Sequence, residues 1–184
     1  LRLFFLISDA QFAPERIICS IVNKSVHWLH AGEVENSPTI AGFTPEEHKN
    51  SFKFYSGTGS HSSELIKTYV VEVNKFLSNF KHKPNVVDLG CGDFFIGEQI
   101  RKNCNKYIAV DIVEDLIKFN RIKFRDLDVD FKVLNITSDD LPEGDICFLR
   151  QVLQHLSNNL IQNFLNLMKN KNKYLVLTEH LPSL

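Results

Sequence analysis

The stretch "VVDLGCGDFFIG", residues 86–97, decides the fold. A short apolar run leads into a glycine turn, and a helix-compatible segment follows. Gly90 and Gly92 let the backbone turn sharply and approach a ligand with no Cβ in the way. A dinucleotide fingerprint G-x-G-x-x-G needs its third glycine at position 95, which is Phe95. The phosphate loop G-x-x-x-x-G-K-[ST] has its glycine spacing in Gly92 and Gly97, but Glu98 and Gln99 follow. A helix N-terminus attracts phosphate. Here Asp93 occupies it, and Asp88 adds a second negative charge just upstream. The turn suits an ammonium or a sulfonium better than a pyrophosphate.

Downstream of this turn, apolar runs alternate with helical patterns. Strands are expected over residues 85–89, 107–110, 130–134, 145–149 and 174–178, and helices over 94–102, 113–124 and 158–170. Upstream, Leu65, Ile66, Tyr69, Val70, Val73, Phe76, Leu77 and Phe80 recur at helical spacing and form one apolar stripe, which Pro84 stops. Such alternation implies right-handed βαβ units. The fold class is α/β: a Rossmann-like, doubly wound, mostly parallel sheet flanked by helices, apparently truncated after the fifth strand. Beside residues 174–178 the sheet edge is expected to be unpaired and prone to association. In such sheets ligands lie outside the carboxyl ends of the strands.

The strand ends carry polar residues. Asp111 closes "YIAVD", 21 positions after Gly90, close to the ~20 expected for an acid that accepts ribose hydroxyls. Asn135 and Ile136 close "FKVLNIT"; an Asn can accept from an adenine amino group, and the next backbone N–H can donate to a ring nitrogen. Each has a plainer reading: Asp111 as a helix cap, Asn135 as the start of an Asx-turn, Arg150 as a surface ion-pair partner, Cys91 as a space-filler.

In order, "VVDLGCG", "YIAVD", "LNIT" and "GDICFLRQVLQHLS" resemble the class I S-adenosylmethionine-dependent methyltransferases, over about residues 55–179. The resemblance implies S-adenosylmethionine as cofactor and S-adenosylhomocysteine as product. It implies that Asp88 and the backbone of Gly90, Cys91 and Gly92 face the methionine part. Asp111 and Ile112 then take the ribose, Asn135 and Ile136 the adenine, and Arg150 and Gln151 the floor near the sulfonium. The family usually has a third small residue where Phe94 stands and commonly an acid where Asn135 stands. It also carries two further strands after the fifth, which are missing here.

Methyl transfer from a sulfonium is an in-line displacement, so the protein mainly aligns and desolvates the nucleophile. A general base helps only where the nucleophile arrives protonated; the candidates are His155, Glu179 and His180. "FYSGTGS", residues 54–60, is a lid or a linker, with Tyr55 and Ser60 as lid contacts. Residues 1–60 are expected to form an N-terminal extension with this possible lid, and 61–184 the cofactor domain, incomplete at its C-terminus. The acceptor expected is a small molecule. The alternatives are a non-catalytic cofactor-binding domain of a larger protein and an NAD-dependent oxidoreductase, the latter disfavoured by Phe95 and Asp93.

Composition bounds the rest. Of 184 residues 43% are hydrophobic, 15 of them Phe, enough for a sizeable core. The net charge of -1 offers no argument for a nucleic-acid binder; "KFNRIKFR" and "KNKNK" read as solvated faces. Cys19, Cys91, Cys104 and Cys147 show no C-x-x-C spacing, so neither a metal site nor a redox motif is expected, and a reducing cytoplasmic compartment is. No apolar run approaches the ~18 residues of a membrane span. "LRLFFLIS" at the start reads as a core strand rather than a signal peptide. The chain opens on Leu1 and its single Met is Met168, so residue 1 is not expected to be a translation start.

Overall fold

The computed structural model describes the backbone of residues 2–7, 18–21 and 63–179, with side chains for 66–179. Strands β1 (Arg2–Ile7) and β2 (Ile18–Ile21) come first, then helix α1 (Ser63–Ser78). The alternation follows: β3 (Val86–Leu89), α2 (Phe95–Ile100), β4 (Tyr107–Asp111), α3 (Glu114–Lys123), β5 (Asp130–Val133), β6 (Gly144–Arg150), α4 (Asn158–Leu167) and β7 (Asn172–Glu179). All five expected strands are present within two residues of their expected bounds. The helix after the glycine turn is shorter than 94–102: its α-helical part ends at Ile100 and a 3₁₀ turn, Arg101–Asn103, finishes it. No helix of the described residues is long and apolar enough to cross a membrane.

One sheet joins the strands in the order β2-β1-β7-β6-β3-β4-β5. β3, β4, β5, β6 and β7 run parallel, the Rossmann-like arrangement. From β3 the chain moves outward through β4 to β5, then returns to pair β6 on the other flank of β3. Strand order therefore reverses at β3, and the crevice at its carboxyl end is the switch point where ligands of open α/β sheets bind.

The edge beside β7 corrects an expectation. Residues 174–178 do not face an unpaired edge: β1 pairs antiparallel with β7 from Arg2↔Glu179 to Ile7↔Tyr174, and β2 pairs antiparallel with β1. "RLFFLI" is rich in aromatic and branched residues that suit a sheet, so the chain's own beginning satisfies the backbone groups that its last described strand presents.

Successive strand residues point to opposite faces, and both faces are covered. Val86, Tyr107, Phe148 and Val176 pack under α1 with Tyr69, Val73 and Leu77. Val87, Val110, Cys147 and Leu149 pack on the other face with Phe164 of α4. Burial on both faces explains why these strands read as unbroken apolar runs.

Candidate functional site

The glycine turn is built by backbone geometry. Gly90 and Gly92 have positive φ, 77° and 55°. The amides of Gly90 and Cys91 both donate to the Val110 carbonyl, at 2.8 and 2.9 Å, which seats the turn on β4. A Cβ on Gly90 would overlap the Val152 side chain. Phe94 also has positive φ, 59°, so it takes up the left-handed conformation a glycine adopts freely. Its ring points away from the turn and is fully buried, edge-on to Tyr107, Phe124 and Phe131. Phe94 therefore does not line the cavity, although it follows the glycine turn directly.

Two acidic side chains and a helix asparagine hold the turn. Asp111 accepts from the Gly92 amide at 3.1 Å and from the Val113 amide at 3.0 Å. Asn120 of α3, with no exposure, donates to the Gly92 carbonyl at 2.8 Å. Asp93 accepts from the Phe95 amide at 3.3 Å at the start of α2. That acid takes a donor that a phosphate would need, as the sequence implied.

A cavity of about 650 Å³ opens at the carboxyl ends of β3, β4, β5 and β6. Asp88, Gly90, Cys91, Gly92, Asp111, Ile112, Asn135, Ile136, Arg150 and Gln151 all line it, so the structure brings the ten sequence-chosen residues together. Ile112 is 62% exposed, an apolar surface facing the cavity at the end of β4. Asn135 closes the Asx-turn set against it above: its Oδ1 accepts from the Thr137 amide at 3.0 Å and hydroxyl at 2.8 Å. Gln151 has positive φ, 56°, and a buried Nε2 without a partner.

On the α1 side the floor is charged and buried. The Tyr107 hydroxyl donates to Asp88 Oδ2 at 2.9 Å. The Arg150 guanidinium lies 5.5 Å from the ring centre of Tyr69. Burial pushes the Asp88 carboxyl up to about 6, against the pull of Tyr107 and Arg150. Burial likewise lowers the Arg150 guanidinium and raises the Cys91 thiol, which leaves Cys91 an unreactive neutral group.

Of the base candidates, His155 lines the cavity near Leu156. Glu179 stands elsewhere: its Oε1 accepts from the amides of Val152 and Leu153 at 2.9 and 2.8 Å, which staples the loop after β6. His180 and the 54–60 segment lie outside the described residues. Sequence reasoning passed over Tyr69, Ile96 and Leu160, which also line the cavity. Tyr69 hid in the apolar stripe of α1, where its hydroxyl was the one signal. Among the described residues no cluster of three or more His, Cys, Asp or Glu side chains is placed to hold a metal ion.

Residues 87–174 match the family described as a methyltransferase domain. No curated protein sequence matches significantly. Three solved structures share the fold. The N-methyltransferase NodS of Bradyrhizobium japonicum, in complex with S-adenosylhomocysteine, is 16% identical with a TM-score of 0.53; the match covers 60% of this chain and 58% of that one. A S-adenosylmethionine-dependent methyltransferase of Clostridium acetobutylicum is 15% identical with a TM-score of 0.50, covering 58% and 44%. A phosphoethanolamine N-methyltransferase of Haemonchus contortus, in complex with phosphoethanolamine and S-adenosylhomocysteine, is 17% identical with a TM-score of 0.50, covering 70% and 35%. The matched part thus spans about a third to three fifths of those chains.

Proposed function

We propose, from the match of residues 87–174 to the family described as a methyltransferase domain, that this protein transfers a methyl group from S-adenosylmethionine to a small-molecule acceptor. The observation that carries the reading is the convergence of ten residues, from four separate stretches of the chain, on one cavity at the switch point. Its volume of about 650 Å³ lies in the range of ligand sites, roughly 300–1,000 Å³. The similar N-methyltransferases, one with phosphoethanolamine and two with S-adenosylhomocysteine bound among those named, support a small acceptor.

The residues present fit the cofactor. Asp88 Oδ1, without a hydrogen-bond partner among the described residues, suits an ammonium. Asp111 keeps lone pairs beyond its two backbone bonds and suits a ribose diol. Asp88, Asp93 and Asp111 around one cavity oppose a pyrophosphate and favour a cationic ligand.

When bound, the cofactor supplies a methyl group on a sulfonium whose leaving group is already activated. The chain's own residues then bind, orient and exclude water. Tyr69, Phe148 and Ile96 wall the cavity and dry it. His155, at the rim, takes the proton of an acceptor that arrives protonated. Glu179 acts through the loop it holds, keeping Gln151 and His155 in place. Titration calorimetry tests the reading: S-adenosylhomocysteine binds and NAD does not. Tight NAD binding, or none of S-adenosylhomocysteine, sinks it. Release of S-adenosylhomocysteine that depends on an added small acceptor separates an enzyme from a binding domain.

A further inference from the structure

Asp88 is held differently from the other cavity acids. Asp93 and Asp111 rest on backbone amides. The hydrogen bond that holds Asp88 comes from a side chain, the Tyr107 hydroxyl. Tyr107 does not line the cavity and is 2% exposed. It pairs with Val86 across the β3–β4 ladder, so its phenol runs forward along β3 by two residues to reach Asp88. Phe94 packs edge-on against its ring at 5.4 Å between centres and fixes that direction.

We propose that Tyr107 is a positioning residue of the cofactor site: its hydroxyl fixes the Asp88 carboxylate in the ionised, cavity-facing state that an ammonium requires, which links cofactor binding to a proton at Asp88. This rests on the reading that the cavity takes S-adenosylmethionine. Tyr69 faces Asp88 from α1, Arg150 from the end of β6, and Asp111 from the end of β4; the Cys147 thiol lies on the opposite face of the sheet. Cys91 in the turn and Cys104 after α2 complete the surround. Arg150 favours the charged carboxylate and Asp111 opposes it. Tyr107 itself stays a protonated donor, because burial and Asp88 push its phenol well up.

The sign follows from these contributions. Burial sets the Asp88 carboxyl at about 6, and the Tyr107 bond lowers it from a higher value. Below about 6 an arriving ammonium must displace a proton; well above that pH it meets a carboxylate. Without the Tyr107 hydroxyl the proton is retained to higher pH.

The test is titration calorimetry with S-adenosylhomocysteine from pH 5 to 8.5, in buffers of differing ionisation enthalpy. The unaltered chain is expected to lose about tenfold in affinity per pH unit below about 6 and to release a proton on binding there. In Tyr107→Phe that acid limb moves up by about one pH unit or more. In Asp88→Asn binding is weak and the limb is absent, which separates Asp88 from His155 on the same cavity. The proton release of the unaltered chain and its loss in Asp88→Asn are read whether or not Tyr107→Phe folds. A limb that stays put in a folded Tyr107→Phe, or one that persists in Asp88→Asn, overturns the inference and leaves the cofactor reading intact. No binding of S-adenosylhomocysteine at any pH overturns both.

Discussion

The ring of Phe94 lies over Gly97, three residues on, and fills the volume that a Cβ there would need. The two positions are therefore one packing unit. Phe94 carries left-handed backbone strain of roughly 1–2 kcal/mol and offsets it by burying a whole aromatic ring, worth about 1.5–3 kcal/mol. Gly97→Ala should overpack the site and destabilise the chain by about 1–3 kcal/mol. Combined with Phe94→Leu it should cost less than the sum, with a coupling of about 0.5–3 kcal/mol. Urea unfolding of the two single variants and the double variant measures this; strict additivity counts against the packing unit.

Glu179 staples the loop after β6 through two backbone amides. Glu179→Ala leaves both part-buried donors without their acceptor, at up to about 1–3 kcal/mol each. Glu179→Gln keeps one carbonyl acceptor and should cost less. Were Glu179 instead a proton acceptor in the chemistry, the two variants would be equally inactive and equally stable. Chemical denaturation set beside turnover decides between these outcomes.

Asp111→Ala should weaken S-adenosylhomocysteine by roughly 1.5–3 kcal/mol, or about 10- to 150-fold. Part of that loss comes from the Gly92 amide, which Asp111 holds before any ligand arrives. Cys91→Ala should change affinity little, because the turn uses the Cys91 backbone. A folded Asp111→Ala chain with unchanged calorimetric affinity would remove Asp111 from the site.

The ionised form of Asp88 is disfavoured by burial in the folded chain. Its carboxyl sits near 6 in the folded chain instead of 3.8, so the folded state holds the proton more tightly than the unfolded one between those values. Stability from this group is full below about 4 and is lost as pH rises through about 6. The shift corresponds to about 3 kcal/mol at most. Asp88→Asn should therefore raise the urea midpoint at pH 8 and much less at pH 5, while weakening the cofactor. An equal change at both pH values would contradict the shifted carboxyl.

β1 shields β7. Removal of residues 1–21 should expose the β7 edge and produce concentration-dependent association, visible in sedimentation. Amide exchange along residues 172–179 should speed up as well. A truncated chain that stays monomeric with unchanged exchange would show that β1 does not protect this edge.

The sequence by itself determined the parallel five-strand core and the cavity's address. Strands buried on both faces read as apolar runs, and in a βαβ chain each strand end falls at the same edge, so Asp88, Asp111, Asn135 and Arg150 could be gathered from four separate stretches. Only the tertiary structure decided three matters, each because it depends on pairs far apart in the chain. β1 covers β7 through a ladder between residues 2–7 and 174–179, which no local pattern announces. The Phe94 ring turns into the core because Gly97, Tyr107, Phe124 and Phe131 leave room for it there, at a position where the resembled family usually has a small residue. Glu179, one of three plausible bases by residue type, proved to hold a loop, since burial beside the amides of Val152 and Leu153 commits one carboxylate oxygen to the backbone. A side chain's type is written in the sequence; which partner it spends its hydrogen bonds on is set by the fold.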